Sequence, residues 1–348
     1  MMLSPLCAHP QWRSLPGKVV PQHSTKASSP SPPGFLSLSN NEIEKRRIVC
    51  ARAARSEDDT AAAAAAADEE TALSPKTAGA GGPAAASSFL TFLCPLLKLF
   101  AGGDPSKERN DILEVTTSSI SSLARLPWGS RSLPSISQSL DPTSPLNLQL
   151  YEFEACPFCR RVREAMTELD LSVEVYPCPK GSVRHREMVR NLGGKEQFPF
   201  LVDLNTGISL YESGDIVKYL FQQYGHGRNP SFGLLQSTLL TGWVPTLLRA
   251  GRGMTAWSRA RSEPPMKMLE LFSYENNLYA RIVREALCEL ELPYILHNVG
   301  EGSSKHDMLF NISGSKEVPY LVDPNTGFKM GDYKRILPYL FQTYSSES

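Results

Sequence analysis

The sequence lacks an excess of charge of either sign. Its 36 lysine and arginine residues are matched by 36 aspartate and glutamate residues, so the formal net charge is +0 at pH 7. A balanced charge argues against nucleic acid as a general partner, because binding to phosphates relies on a surplus of basic side chains. Long apolar runs are also missing, and no stretch approaches the roughly 20 apolar residues of a membrane-spanning helix.

Cysteine is sparse and irregularly spaced, with 7 residues in a chain of 348. Small secreted proteins that depend on disulfides place their cysteines densely. A disulfide scaffold is therefore excluded, and a reducing or redox-regulated compartment is the simpler expectation.

The first part of the chain has no acidic residues: residues 1–41 contain neither aspartate nor glutamate and are rich in serine and proline. This composition is typical of an organelle transit peptide, and its serine and proline content favours the plastid. The basic run at residues 45–53 matches the neighbourhood in which such peptides are removed. We therefore predict a transit peptide over residues 1–52 and a location in the chloroplast stroma or at the periphery of a plastid membrane; an ordinary disordered tail is the alternative.

Residues 53–145 are predicted to form a low-complexity linker that includes an alanine run at 61–67. Within it, residues 89–100 are strongly apolar but too few to cross a bilayer. Two interpretations remain open for this segment, packing against the folded domains or lying in a membrane surface. Spaced apolar residues at 112–126 predict a short helix or strand against the first folded domain.

The stretch with the most chemistry is Cys156-Pro157-Phe158-Cys159, between a predicted strand and a predicted helix. At a helix start, unpaired backbone N–H groups and the positive end of the helix dipole favour a thiolate at Cys156. Pro157 suits the first helical position, where its missing N–H costs nothing. Cys156 is the candidate nucleophile, and Cys159 could resolve a mixed disulfide.

Two other interpretations of this motif are half of a zinc site and a pair of buried structural cysteines. A structural zinc site needs a second Cys/His pair at ligand spacing, and only Cys178 and His185 lie near. Redox chemistry is therefore favoured, and no metal site is predicted.

Residues 146–225 are predicted to fold in the order β-α-β-α-β-β-α, a compact α/β domain with a mixed sheet. The same pattern returns at 267–348, after a connector at 226–266, so the chain contains an internal duplication. In register, Asn277 stands opposite Cys156 and Ala280 opposite Cys159. The second copy cannot exchange disulfides by the same route, so a binding, scaffolding or regulatory role is expected for it.

The connector is amphipathic to apolar, with basic residues towards its end. One interpretation is a helix wedged between the two domains. The other is a basic, Trp-bearing element at an anionic membrane surface.

Both units resemble the glutaredoxin-like N-terminal domain of glutathione transferases, in the thioredoxin superfamily. The resemblance depends on the Cys-Pro-Phe-Cys helix start, on Phe198-Pro199 before a strand, and on Glu212-Ser213 before the last helix. It implies an α/β fold class with two tandem thioredoxin-like domains after a disordered N-terminal region. It also implies that Pro199 and Pro319 follow cis peptide bonds.

The resemblance further implies glutathione as a cosubstrate. In such domains the backbone of the residue before the cis proline, here Phe198, pairs with the cysteinyl part of glutathione, and Glu212 with Ser213 holds its γ-glutamyl end. A plain helix N-cap is the alternative role for Ser213. In the second copy the corresponding pair is Asp332-Tyr333, which departs from the pattern and puts glutathione binding there in doubt.

The implied function is a glutathione-dependent thiol-disulfide oxidoreductase that reduces disulfides or glutathionylated proteins, or small molecules, through Cys156 and Cys159. The alternative is a non-catalytic glutathione-binding or membrane-associated scaffold. Ordinary conjugation is disfavoured, because the large helical domain of a full transferase has no room between the copies; an isomerase activity like that of prostaglandin E synthase type 2, or an iron–sulfur cluster, rests on analogy alone. The enzyme hypothesis requires that the two thiols are not sealed from solvent and from Pro199.

Overall fold

The computed structural model describes residues 104–107, 110–133 and 147–346. The predicted transit peptide, the alanine run and the apolar segment at 89–100 lie outside these residues. The ordered elements, in chain order, are α1 Asp111–Leu123, β1 Leu148–Glu152, α2 Pro157–Glu168, β2 Ser172–Pro177, α3 His185–Gly193, β3 Phe200–Asp203, β4 Ile208–Leu210, α4 Ser213–Tyr224, α5 Leu234–Leu240, α6 Val244–Leu248, β5 Leu269–Ser273, α7 Leu278–Glu289, β6 Tyr294–Asn298, α8 His306–Ser313, β7 Tyr320–Asp323, β8 Phe328–Met330 and α9 Tyr333–Thr343.

The β-α-β-α-β-β-α order occurs twice, as β1 to α4 and as β5 to α9, and we call these units the first and second repeats. In the first repeat β1 pairs in parallel with β2 and antiparallel with β3. In the second repeat β5 pairs in the same two ways with β6 and β7. The predicted α/β fold class with mixed sheets is therefore confirmed.

The two sheets join into one. Antiparallel pairing of β2 with β6 sets Ser172 opposite His297 and Val175 opposite Tyr294. The result is an eight-stranded sheet in the order β4-β3-β1-β2-β6-β5-β7-β8. Each repeat thus hides one sheet edge against the other, which removes a row of unpaired backbone groups.

The core lies between this sheet and the helices that pack on it. In the first repeat, Leu148 and Leu150 of β1 and Val162, Ala165 and Met166 of α2 are fully buried in one apolar cluster. Alternate residues of β1 and residues spaced by three to four in α2 therefore face the core, as the sequence pattern predicts.

Helix α1 is the predicted element at 112–126, and it is a helix and not a strand. The helix itself packs against α7 of the second repeat and α6 of the connector, and Arg125, just after it, pairs with Glu164 of the first repeat at 2.6 Å. The Ser118 hydroxyl donates to the carbonyl of Leu278 at 2.7 Å. The predicted contact with the first repeat is therefore made by Arg125, whereas the face that the helix itself buries is polar: Glu114, Ser118 and Ser121.

The connector touches both repeats, as the wedge interpretation requires. The Thr246 hydroxyl donates to the carbonyl of Ala155 in the first repeat. The Arg249 guanidinium pairs with Glu285 in the second repeat at 2.7 Å. Helices α5 and α6 are therefore packed structural elements and not a spacer.

Helix α1 and the connector are bonded to each other reciprocally. Arg125, just after α1, donates to the hydroxyl of Thr241 at 2.7 Å, and Arg249, just after α6, donates to the hydroxyl of Thr117 at 2.7 Å. The two helical segments are therefore held together by an arginine at the end of each. Among the described residues, no helix has both the length and the apolar character to cross a bilayer.

Candidate functional site

Cys156 occupies the N-cap of helix α2. Its backbone is extended, with φ −76° and ψ 121°, and its sulfur accepts a hydrogen bond from the backbone N–H of Cys159 at 3.4 Å. Pro157 follows in the first turn, as the sequence predicts. The Cys-x-x-Cys motif therefore lies at the positive end of a helix, where a thiolate is stabilised.

The two thiols differ in acidity. Burial raises the pKa of the Cys156 thiol, but hydrogen bonds from the Cys159 thiol and from backbone N–H groups outweigh it, so the pKa lies below its ordinary value. Burial, together with the hydrogen bond to Cys156, raises the pKa of Cys159 well above its ordinary value. This asymmetry suits a pair in which one sulfur attacks and the other remains a protonated thiol until needed.

Both thiols are buried. The exposed fraction is 1% for Cys156 and 0% for Cys159, and neither forms a disulfide. Their apolar cluster includes Met254 from the connector, with Phe158 and Phe198 packed against it. The condition of solvent access set in the sequence analysis is therefore not met in this conformation, although Phe198-Pro199 lies beside the pair, and a thiol in this position can react only when the side chains around it move.

Phe198-Pro199 lies beside this cluster, and its peptide bond is cis, as is that of Val318-Pro319. Both expectations from the resemblance are confirmed. The Phe198 ring meets that of Phe153 edge-on at 6.1 Å and lies under the guanidinium of Arg186 at 4.9 Å. The residue before the cis proline is therefore packed close to the thiol pair.

Glu212 and Ser213 stand at the start of α4, but their roles differ from the N-cap expectation. Glu212 is the N-cap residue, without a capping hydrogen bond from its side chain, and it accepts a hydrogen bond from the Gln197 amide. Ser213 is the first helical residue, so it is not the N-cap. Its hydroxyl accepts a hydrogen bond from Arg161 at 3.2 Å.

Arg161 is the member of this group that the sequence analysis did not assign. It lies one turn after Cys156 on α2 and reaches α4, so it brings a positive charge to the same helix start as Ser213. The only signal in the sequence was the Arg160-Arg161 pair after the motif, which could not show which arginine turns towards α4. Arg160 instead donates to the carbonyl of Gly242 in the connector.

The corresponding place in the second repeat is an open cleft of about 890 Å³. Asn277 stands where Cys156 stands in the first repeat, and its side chain accepts from the backbone N–H groups of Tyr279 and Ala280. The cleft is also lined by Val318-Pro319 and by Tyr333, whose ring stacks on that of Tyr279 at 5.0 Å. The second repeat therefore keeps the N-cap geometry without a thiol.

The nearby residues Cys178 and His185 do not form a zinc site with the motif. The His185 ring nitrogen Nδ1 lies 2.7 Å from the carbonyl of Pro177, and burial raises the pKa of Cys178 well above its ordinary value. Across the described ranges, no group of at least 3 His, Cys, Asp or Glu side chains is arranged to hold a metal ion.

Fold and site together define a duplicated, thioredoxin-type α/β unit with a cysteine at a helix start and a cis proline beside it. The family profile described as "Glutathione S-transferase, N-terminal domain" matches residues 150–230 and 271–348. Over these residues, each repeat is therefore similar to the N-terminal domain of glutathione S-transferases.

Two individual proteins are similar to parts of this chain. The glutathione S-transferase-like protein tpcF of Aspergillus fumigatus is 25% identical over 193 residues, which cover 52% of this chain and 83% of that protein. Among solved structures, the Leishmania protein TDR1, described as a unique trimeric glutathione transferase, aligns with a TM-score of 0.23 and 14% identity over 59% of this chain and 68% of that one.

Proposed function

We propose that the protein is a glutathione-dependent thiol-disulfide oxidoreductase that uses the thiol pair of the first repeat. The observation that carries the proposal is the position of Cys156 at the N-cap of α2, with a lowered pKa and with Cys159 in hydrogen-bonding contact. The family match, which concerns glutathione transferases, supports glutathione as the cosubstrate.

Each step of the reaction forms one disulfide bond and breaks another, so the number of disulfide bonds does not change. The Cys156 thiolate attacks a disulfide, forms a mixed disulfide and expels the other sulfur as a thiolate, which takes up a proton. Cys159 then loses its proton, attacks Cys156 and releases the substrate as a second thiol. Two molecules of glutathione regenerate the dithiol and leave as glutathione disulfide.

The start of α4 offers a place for a carboxylate of glutathione. The Arg161 guanidinium, the Ser213 hydroxyl and the first N–H groups of the helix are all donors. Donors of this kind favour an anion at a helix start. We propose that Ser213, with Glu212 beside it, holds the γ-glutamyl end and that the backbone at Phe198 and Pro199 meets the cysteinyl part.

Access to Cys156 requires an opening of its cover. Phe158, Phe198 and Met254 surround the sulfur pair, so catalysis proceeds through a state in which at least one of them has moved. Small disulfides, such as a glutathione mixed disulfide on an extended peptide, fit this requirement better than a disulfide buried in a folded protein.

Replacement of Cys156 tests the proposal directly. The Cys156→Ser variant should lose glutathione-dependent reduction of a small disulfide. The Cys159→Ser variant should retain those steps in which glutathione, and not Cys159, attacks the mixed disulfide on Cys156. Cys178→Ser is the matched control, because Cys178 is equally buried but has a raised pKa. A Cys156→Ser variant as active as the parent would falsify the proposal.

A non-catalytic glutathione-binding protein is the second candidate, and the burial of both thiols favours it. Calorimetric titration of glutathione into the Cys156→Ser/Cys159→Ser variant separates the two. Binding with no disulfide reduction by the parent protein supports the binder; reduction by the parent removes it.

We also propose a plastid location on the composition of residues 1–52. A fusion of these residues to a fluorescent protein should enter chloroplasts of leaf cells. Fluorescence that stays in the cytosol contradicts the proposal, and it leaves the redox chemistry to be judged by the cysteine variants.

A further inference from the structure

Helix α1 presents its apolar side chains outwards. Its buried positions are Glu114, Ser118 and Ser121, whereas Ile112, Leu113, Ile120 and Leu123 are 79%, 61%, 45% and 66% exposed. A helix on a soluble domain normally turns its apolar stripe towards the core. The orientation of α1 is the reverse.

The buried polar face of α1 is held by specific partners, so its orientation is well determined. Glu114 pairs with Arg249 from the connector, and Ser118 donates to the carbonyl of Leu278. Ser121 donates to the carbonyl of Thr117 within the helix at 2.7 Å. If α1 rotated to bury its leucines, Glu114 and Ser118 would lose these partners. Their buried partners would then be left unpaired, which is unfavourable in free energy.

The connector extends the same exposed surface. Leu240 is 81% exposed and Leu247 is 51% exposed; α6, which carries Leu247, packs beside α1, and α5, which carries Leu240, accepts a hydrogen bond from Arg125 just after α1. The side chains of Thr241 and Thr117, each bonded by an arginine, mark the line along which the two helical segments meet. We define the outer apolar face by Leu113, Ile120, Leu123, Leu240 and Leu247. Several exposed apolar side chains on neighbouring helical segments favour a binding partner.

We propose that the apolar segment at residues 89–100 of the same chain covers this face. The segment is dominated by leucine and phenylalanine. Its length, about 18 Å if helical, matches the about 20 Å of α1 at about 1.5 Å per residue. The occupant and the face thus have complementary composition and size.

The point at which the segment joins the described structure supports this choice. Asp104 is fixed beside the connector by a hydrogen bond from the Trp257 indole at 3.0 Å and by an ion pair with Arg259. From residue 100 to this anchor the chain reaches at most about 14 Å. Only residues 105–110 separate this anchor from the start of α1, so a short tether gives the segment a higher effective concentration near α1 than a separate partner has.

The charged residues at the start of α1 also favour this segment over a lipid surface as the occupant. At the start of α1, Asp111 pairs with Lys334 at 2.7 Å. The two charges cancel, whereas a face that docks on anionic lipid is bordered by surplus positive charge.

Cross-linking through Cys94, which lies within the segment, tests the proposal. In a full-length Cys7→Ser/Cys50→Ser background, Ile120→Cys and Leu247→Cys each place a thiol on the outer apolar face. The four described cysteines are buried and compete little. Mild oxidation followed by peptide mapping should find an intrachain disulfide from Cys94 to the introduced thiol in both variants. Leu204→Cys, on a turn at the outer edge of the sheet and 57% exposed, is the control and should form none.

A disulfide between chains in Ile120→Cys overturns the proposal in favour of a second copy, and equal or absent cross-linking in all three variants overturns it as well. As an independent readout, Leu93→Glu in the full-length chain should raise the fluorescence of an apolar dye severalfold, because it uncovers the face. Unchanged dye binding contradicts the proposal. Flotation of the parent chain with anionic vesicles that Leu123→Glu abolishes would assign the face to lipid instead.

Discussion

At the scale of single residues, the two repeats show how one N-cap position can serve different chemistry. Cys156 and Asn277 both accept backbone hydrogen bonds at the start of their helices. The first repeat surrounds its sulfur with apolar side chains, whereas the second opens into a cleft. The reactivity of a thiol here therefore depends on its cover as much as on its helix.

This contrast gives a prediction for Asn277→Cys. The introduced thiol lies at a helix start in an open cleft, so it should react with iodoacetamide near neutral pH faster than Cys156 does. Mass spectrometry of tryptic peptides after timed alkylation measures both sites in the same chain. A faster reaction at Cys156 would show that its cover opens readily, contrary to this expectation.

Glu168 gives a second prediction at this scale, for pH dependence. Burial raises the pKa of its carboxyl from 4.5 to about 7, although the Ser231 hydroxyl donates to it. A carboxyl with a raised pKa in the folded state favours the protonated form, so its contribution to stability is fully present below pH 4.5 and is lost as the pH rises to about 7.

Glu168→Gln should therefore gain stability over the parent as the pH rises through this window, by up to about 3 kcal/mol at about 1.4 kcal/mol per pKa unit. Urea unfolding of both proteins from pH 5 to pH 8, in steps of about one pH unit, measures the difference in the free energy of unfolding. Asp215→Asn, on an exposed pair with Lys218, is the control and should follow the parent. A pH-independent difference would contradict the shifted pKa.

At the scale of elements, the repeats are joined by reciprocal buried ion pairs. Arg163 of α2 bonds Glu275 of the second repeat at 2.7 Å, and Arg284 of α7 bonds Glu154 of the first at 3.1 Å. Each carboxylate follows the first strand of its repeat, and each arginine lies on the helix that comes next. Because the groups are buried, removal of one partner leaves its counterpart as an uncompensated charge.

Glu275→Gln should therefore lower the free energy of unfolding by about 3 kcal/mol or more. The matched control is Glu301→Gln, whose pair with Arg131 is 72% and 75% exposed and should change stability by less than about 1 kcal/mol. Urea unfolding measures both. Equal effects would show that solvent enters the interface and screens the buried pair.

The sequence predicted the elements of each repeat but not the way the repeats meet. Alternation in β1 and the helical spacing after Cys156 are local signals, so the strand and the helix start could be expected from the residues, whereas the cis prolines were expected from the family resemblance alone. The pairing of Val175 with Tyr294 is a long-range contact between two similar edges, and nothing in either strand specifies its partner. The contact of α1 with α7 of the second repeat was not predicted, because polar residues such as Ser118 make it and the apolar pattern does not mark them.

The site shows the same limit. The motif predicted the acidic thiol at Cys156, since this is a property of a short stretch, and the family resemblance implied the cis bond at Pro199. The burial of the pair comes from Met254, far along the chain, and the arginine at Ser213 is chosen by side-chain direction on α2. Such contributions depend on tertiary packing, which a single sequence does not display.

At the scale of the whole molecule, one sheet and one ion-pair network cross the boundary between the repeats. The backbone ladder between β2 and β6 and the bonds of Arg163 and Arg284 would all break if one repeat unfolded alone. An exposed sheet edge and unpaired buried charges make such a half-folded state costly. The two repeats are therefore expected to unfold as one cooperative unit.

Amide hydrogen exchange measures this cooperativity. The N–H groups of Leu150 in β1 and Leu271 in β5, at the centres of the two halves of the sheet, should exchange with the same free energy of opening. Glu275→Gln should lower both by equal amounts, although its side chain belongs to the second repeat. If the amide in β5 loses protection while that in β1 keeps it, the repeats are independent folding units. The shared sheet then joins the two repeats without making them unfold together.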